Sequence, residues 1–161
     1  MVRLSVNVNK MATLRNSRGG RIPSVIEAVE VCISAGAAGI TLHPRADRRH
    51  ITPADVREVS RALEHHAHIE LNIEGDPRPE LIDLVRDVRP QQCTLVPVLP
   101  GEITSQAGWR PGLGPSGQAA HGAERLREII ATLRAEDIRV SLFVDARHET
   151  FDWAAAVGAD R

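Results

Sequence analysis

The chain has 161 residues, 42% hydrophobic and 25% charged, the composition of one ordinary domain with apolar material for a core and not of a disordered segment. A formal net charge of −1 supplies no global field for nucleic acid or an anionic membrane, so any polyanion site has to be local, and small phosphorylated ligands remain open. No apolar run approaches the roughly 20 residues that span a bilayer, Met1-Val2-Arg3-Leu4-Ser5 lacks the apolar stretch of a signal peptide, and Cys32 and Cys93 sit in apolar runs where thiols act as small buried hydrophobes. These features point to a cytoplasmic protein without a disulfide framework, and to a single domain over residues 1–161.

In chain order, short β-branched runs alternate with segments of helical periodicity, the pattern of βα units and a parallel sheet. Strands are expected at Leu4 to Val8, Gly39 to His43, His68 to Ile73, Gln92 to Val96 and Arg139 to Val144. Between them, four apolar stripes at helical spacing predict helices: Val25, Val29, Cys32 and Ile33; Val56, Val59 and Leu63; Leu81, Leu84, Val85 and Val88; Leu126, Ile129, Ile130 and Leu133. Thr52-Pro53-Ala54-Asp55 marks one start, since Thr can cap, Pro suits the first helical position and Asp favours the helix dipole. Gly36 is the expected stop of the first predicted helix. A fifth helix is expected from about Glu149 to Val157, and Gly158-Ala159-Asp160 has the look of a turn into a further strand. The one long irregular stretch, Pro97 to Gly117, follows the fourth strand and is rich in Gly and Pro, the kind of loop that carries function.

Parity within the strands says which closed form the sheet takes, because alternate residues point to opposite faces. Ser5, Asn7 and Asn9 oppose Leu4, Val6 and Val8; Thr41 and His43 oppose Ile40 and Leu42; Glu70, Asn72 and Glu74 oppose Ile69, Leu71 and Ile73. An open sheet with helices on both faces wants both parities apolar. A (β/α)₈ barrel instead packs one parity on its helices and turns the other inward, polar toward the C-terminal mouth where barrel active sites lie. Asn7, Asn9, His43, Glu70 and Asn72 would then converge. For any single Asn or Thr a satisfied structural hydrogen-bond network explains the position equally well. A carboxylate between Ile69 and Leu71 fits that reading less well, because desolvation suits Glu70 to proton transfer.

Two segments carry further chemistry. His43-Pro44-Arg45-Ala46-Asp47-Arg48-Arg49-His50 joins two histidines to three arginines, as gripping a phosphorylated substrate and moving a proton require, although Arg48 and Arg49 read equally as a solvated basic loop. Arg15-Asn16-Ser17-Arg18-Gly19-Gly20-Arg21 combines cations with glycines whose backbone N–H groups could approach an anion. Metal binding fits poorly: His65, His66 and His68 lie at a helix-to-strand turn without matching carboxylates, and His43 and His50 match no common zinc spacing.

Six segments, Ser5-Val6-Asn7-Val8-Asn9-Lys10, Thr13 to Gly20, Gly39 to Arg45, Asp47 to Ile51, Cys93 to Pro97 and Val140 to Ala146, run in order along the chain and closely resemble the pyridoxine 5′-phosphate synthase family. The resemblance implies a TIM barrel and the condensation of 1-deoxy-D-xylulose 5-phosphate with 3-amino-2-oxopropyl phosphate to pyridoxine 5′-phosphate, phosphate and water. It implies no metal or organic cofactor, a homo-oligomer, and phosphorylated small molecules as partners. Carried over position by position, it makes His43 and Glu70 proton acceptors, and gives Asn7 and Arg18 to the amino-ketone phosphate. Asn9, Lys10, Arg45, His50 and Thr104 fall to the deoxyxylulose phosphate. Many members carry Asp-His where this chain has Asn9-Lys10. A complete barrel has eight strands and about 250 residues, so the five units seen here are expected to be its N-terminal portion. The competing readings are an inactive partial barrel that binds phosphorylated metabolites or needs a partner chain, and another phosphate-handling barrel enzyme such as an aldolase or isomerase. Against the aldolase stands the lack of a strand-end lysine other than Lys10.

Overall fold

A computed structural model describes residues 2–97, 107–111 and 122–161. The contacts divide the chain into two compact units, residues 1–74 and 75–161. Five parallel strands alternate with helices, as the alternation of β-branched runs and apolar stripes requires.

In the first unit the order is β1 (Ser5–Asn7), α1 (Asn9–Ser17), α2 (Val25–Ser34), β2 (Gly39–Leu42), α3 (Pro53–Leu63) and β3 (Glu70–Gly75), with β2 between β1 and β3. The register sets Ser5 against Gly39, Asn7 against Thr41, Gly39 against Glu70 and Thr41 against Asn72. Parity behaves as expected: Ile40, Leu42, Leu71 and Ile73 are buried with Val29, Val56 and Val59 of the helices, and the other parity carries Ser5, Asn7, Thr41, Glu70, Asn72 and Glu74. Each of these fully buried aliphatic side chains contributes roughly 1.5–3 kcal/mol.

Local signals fix the helix ends. The Ser24 hydroxyl accepts from the Glu27 N–H at the start of α2, and Gly36 follows its end with φ +90°, a conformation that glycine adopts without strain. Thr52 and Asp55 form a reciprocal capping box on α3, with Pro53 at its first position.

One segment departs from expectation. Residues 9–17 form α1, so Arg15, Asn16 and Ser17 of the expected Arg15–Arg21 anion segment belong to a helix, and Arg18 is its C-cap. Gly19, at φ +63°, Gly20 and Arg21 lie beyond it. The helix carries no acidic residue in its first turn and no side-chain cap, and Ala12 is its one buried residue. It is held by ion pairing instead: Arg15 donates to both oxygens of Asp55 at 2.6 and 2.9 Å.

In the second unit α4 (Pro79–Val88), β4 (Gln92–Leu95), α5 (Gly122–Ala135), β5 (Arg139–Leu142) and α6 (His148–Ala156) follow, with β4 parallel to β5. Its core contains Leu81, Val85, Cys93, Leu95, Leu126, Leu133 and Val140. Complete burial pushes the Cys93 thiol up to about 12, so it is an inert core residue. Trp109, fully buried, donates from Nε1 to the Leu95 carbonyl at 2.9 Å.

Candidate active site

The polar parity of β1, β2 and β3 has two levels. At the lower level Ser5, Gly39 and Glu70 are register partners, and Gly39 is needed there: a Cβ would stand 3.0 Å from both the Glu70 carbonyl oxygen and the Ser5 hydroxyl. Just above, the Ser5 and Thr41 hydroxyls share a 2.8 Å hydrogen bond, and Asn72 Nδ2 donates to Thr41 Oγ1 at 3.2 Å. These bonds satisfy the buried side chains of Thr41 and Asn72.

The upper level lies past the C-terminal end of β2, where Leu42 pairs with Ile73 and the next residues are His43 and Glu74. His43 is buried, and its Nδ1 lies 3.4 Å from Oε1 of Glu74. Burial pushes the Glu74 carboxyl above the usual carboxylate range. Asn9 closes the site on the β1 side: its side-chain oxygen accepts from the His43 N–H at 2.9 Å, while its own N–H donates to the Asn7 side-chain oxygen at 3.0 Å. Asn7 and Asn9 therefore lock the end of β1 to the end of β2.

The loop after β2 brings in the cations. The His50 ring lies 5.6 Å from that of His43, centroid to centroid, inclined by 57°. Burial, and then the positive charges of Arg45, Arg49 and Lys10, hold His50 below the usual imidazole range against the opposing charge of Asp47. Burial works against ionisation of Asp47 as well, but hydrogen bonds from Arg49 and the charge of Arg45 outweigh it and keep the carboxyl below its usual range. Arg45 is largely buried, 3.5 Å from Asp47, and Lys10 is exposed on α1. The assembly is a buried imidazole, a carboxyl whose pKa burial raises and a set of cations, suited to moving protons beside a bound anion.

The sequence-predicted residues thus divide. Asn7, Asn9, Lys10, His43, Arg45 and His50 come together at the upper level. Arg18 is exposed at the end of α1. Glu70 heads β3 opposite Gly39, four residues before Glu74 and thus roughly 13 Å lower along an extended strand. Thr104 and most of the Pro97 to Gly117 loop lie outside the described residues. Glu74 is the functional candidate that sequence reasoning passed over; it shares the parity of Glu70, and only the register with His43 separates the two.

A groove of about 410 Å³ opens on the first unit against Val6, Val8, Met11, Ala28, Val31 and Cys32, and Asn7, Lys10 and Glu27 also line it. Among the described residues, no group of three or more His, Cys, Asp or Glu side chains could hold a metal ion, and no helix is long and apolar enough to cross a membrane.

Comparison with known proteins adds a family to this geometry. Residues 4–161 match the family described as pyridoxal phosphate biosynthesis protein PdxJ. Proteins named pyridoxine 5′-phosphate synthase are similar throughout: that of Xanthomonas oryzae pv. oryzae is 48% identical over 167 residues, covering 99% of this chain and 62% of the relative. Those of Christiangramia forsetii and Leptospira biflexa are 47% and 45% identical, each covering 100% of this chain and 63% of the relative. The chain thus spans just over three-fifths of the length of these relatives. Among solved structures, one described as the structure of L-ribulose 3-epimerase is similar with a TM-score of 0.59 and 14% identity, over 99% of this chain and 58% of that one. That likeness concerns the fold, an α/β arrangement of five βα units of a barrel.

Proposed function

This chain belongs to the pyridoxal phosphate biosynthesis family, and from that membership we propose that it works in pyridoxine 5′-phosphate synthesis, condensing 3-amino-2-oxopropyl phosphate with 1-deoxy-D-xylulose 5-phosphate. The observation that carries the reading is the contact of buried His43 with half-buried Glu74 beside the cations of Arg45, Arg49 and Lys10. Ring closure requires an amine to add to a ketone, water to leave and a phosphate to depart. Each step takes or gives a proton next to an anion, which is what this pair and these cations are equipped to do.

In this proposal His43 and Glu74 exchange the protons. The resemblance gives a proton-accepting role to Glu70, whereas the 3.4 Å contact favours Glu74 as the partner of His43; Glu70 is the residue to test against it. Asn7 and Arg18 are assigned to the amino-ketone phosphate, and Lys10, Arg45, His50 and Thr104 to the deoxyxylulose phosphate. Asn9 joins the second group through its amide NH₂, because its oxygen is already taken by the His43 N–H. We further assign the protein to the cytoplasm, as a homo-oligomer that needs neither metal nor organic cofactor.

The direct test supplies both phosphorylated substrates to the protein and follows pyridoxine 5′-phosphate and inorganic phosphate together. Equal release of the two is expected. Binding of both substrates without product would replace the synthase with the binding-only reading.

A further inference from the structure

We propose that Asn16 is a positioning residue for His50, its side-chain amide fixing the segment that aims the imidazole at His43. The inference rests on the proposed function only for its kinetic consequence; the geometry stands by itself. Asn16 Nδ2 donates to the carbonyl of His50 at 2.9 Å and to that of Arg49 at 3.3 Å. Its oxygen accepts from Arg15 Nε at 3.0 Å, and the rest of that guanidinium grips Asp55 in the α3 capping box. An unbroken series of hydrogen bonds thus runs from the start of α3 through the last turn of α1 to the peptide groups on either side of the His50 Cα.

Two features show why the segment needs an external tie. Arg48 has φ +53°, a left-handed conformation that a side chain such as arginine disfavours, so the backbone there relaxes unless held. His50 Nδ1 is buried with no hydrogen-bond partner among the described residues, so its ring is aimed by its backbone and by packing against His43. The charged and titratable groups facing it are Arg45, Asp47 and Arg49 from its own loop, Lys10 from α1 and His43 from the end of β2. Holding the ring among these cations and out of water keeps it neutral and able to meet a phosphorylated substrate in one orientation. Released, it would swing toward solvent and titrate as an ordinary histidine.

The experiment is an NMR titration of the histidine ring protons in the wild-type protein and in Asn16→Ala, together with steady-state kinetics on both. The His50 midpoint should rise measurably toward its ordinary value. KM for the deoxyxylulose phosphate should rise about tenfold with kcat within about twofold, the effect of lost orientation of a binding group. Arg15→Lys, which keeps the charge facing Asp55 but removes the Nε that holds the amide, should shift both in the same direction by less, and serves if Asn16→Ala does not fold. An unchanged His50 midpoint in a folded variant overturns the proposal, as does a loss of kcat at constant KM that follows the folded fraction. A wild-type protein without synthase activity but with the expected His50 shift would remove the functional reading and leave the positioning role standing.

Discussion

The lower and upper levels of the β1–β2–β3 face use the same strands and the same parity, yet the groups with shifted ionisation lie at the upper one. Below, Ser5, Thr41 and Asn72 hydrogen-bond to one another around a glycine that no side chain can replace without displacing its neighbours. Above, burial leaves Glu74 reluctant to ionise and His50 reluctant to protonate, with His43 between them. Parity decides which side chains face inward; register decides which of those meet a reactive partner. A polar interior is therefore not itself an active site, and the perturbed groups mark the level at which we propose one.

Substitutions at the two levels should separate accordingly. The largest effect is expected for Glu74→Gln and His43→Asn, which remove proton transfer and should lower kcat roughly 10²- to 10⁴-fold in a steady-state assay while leaving the fold intact. Gly39→Ala should do the opposite: the 3.0 Å contacts of the new Cβ should lower stability by about 1–3 kcal/mol in a denaturant titration, without changing how His50 titrates. Asp55→Asn removes the charge that anchors Arg15 and should lower stability by about 1–3 kcal/mol at neutral pH. Burial opposes Asp55 ionisation, but the Arg15 and Thr52 hydrogen bonds outweigh it and set its folded pKa below the ordinary 3.8. The stabilisation is therefore complete above that value and lost as pH falls through the folded pKa, so wild type and variant should converge in strong acid. The smallest effect concerns Glu74 again. Burial raises its folded pKa above 4.5, so the wild-type protein loses stability as pH rises from there. Glu74→Gln should be slightly more stable than wild type at pH 7, by thermal unfolding, and lose that advantage below about pH 4.

Much of this was legible in the residues. The strands announced themselves by β-branched runs and polar alternation, and α3 by Thr52, Pro53 and Asp55, because these are local preferences that the fold keeps. Helix α1 was hidden: Met11, Ala12 and Leu14 are too few to mark a stripe, and the tie that fixes it, Arg15 to Asp55, spans 40 residues. The site was legible as far as His43 and its basic loop. Choosing between Glu70 and Glu74 was not, because both lie on one parity of one strand and a pairing register is a property of two strands. Thr104 rests on resemblance alone.

Because the account turns on the upper level, the most direct test is a side-by-side comparison of kcat for Glu74→Gln and Glu70→Gln in the same synthase assay. A loss of two or more orders of magnitude in Glu74→Gln, against a loss of about tenfold or less in Glu70→Gln, is the expected result. Near-normal turnover in Glu74→Gln with an inactive, folded Glu70→Gln would contradict it and move the proton chemistry to the lower level.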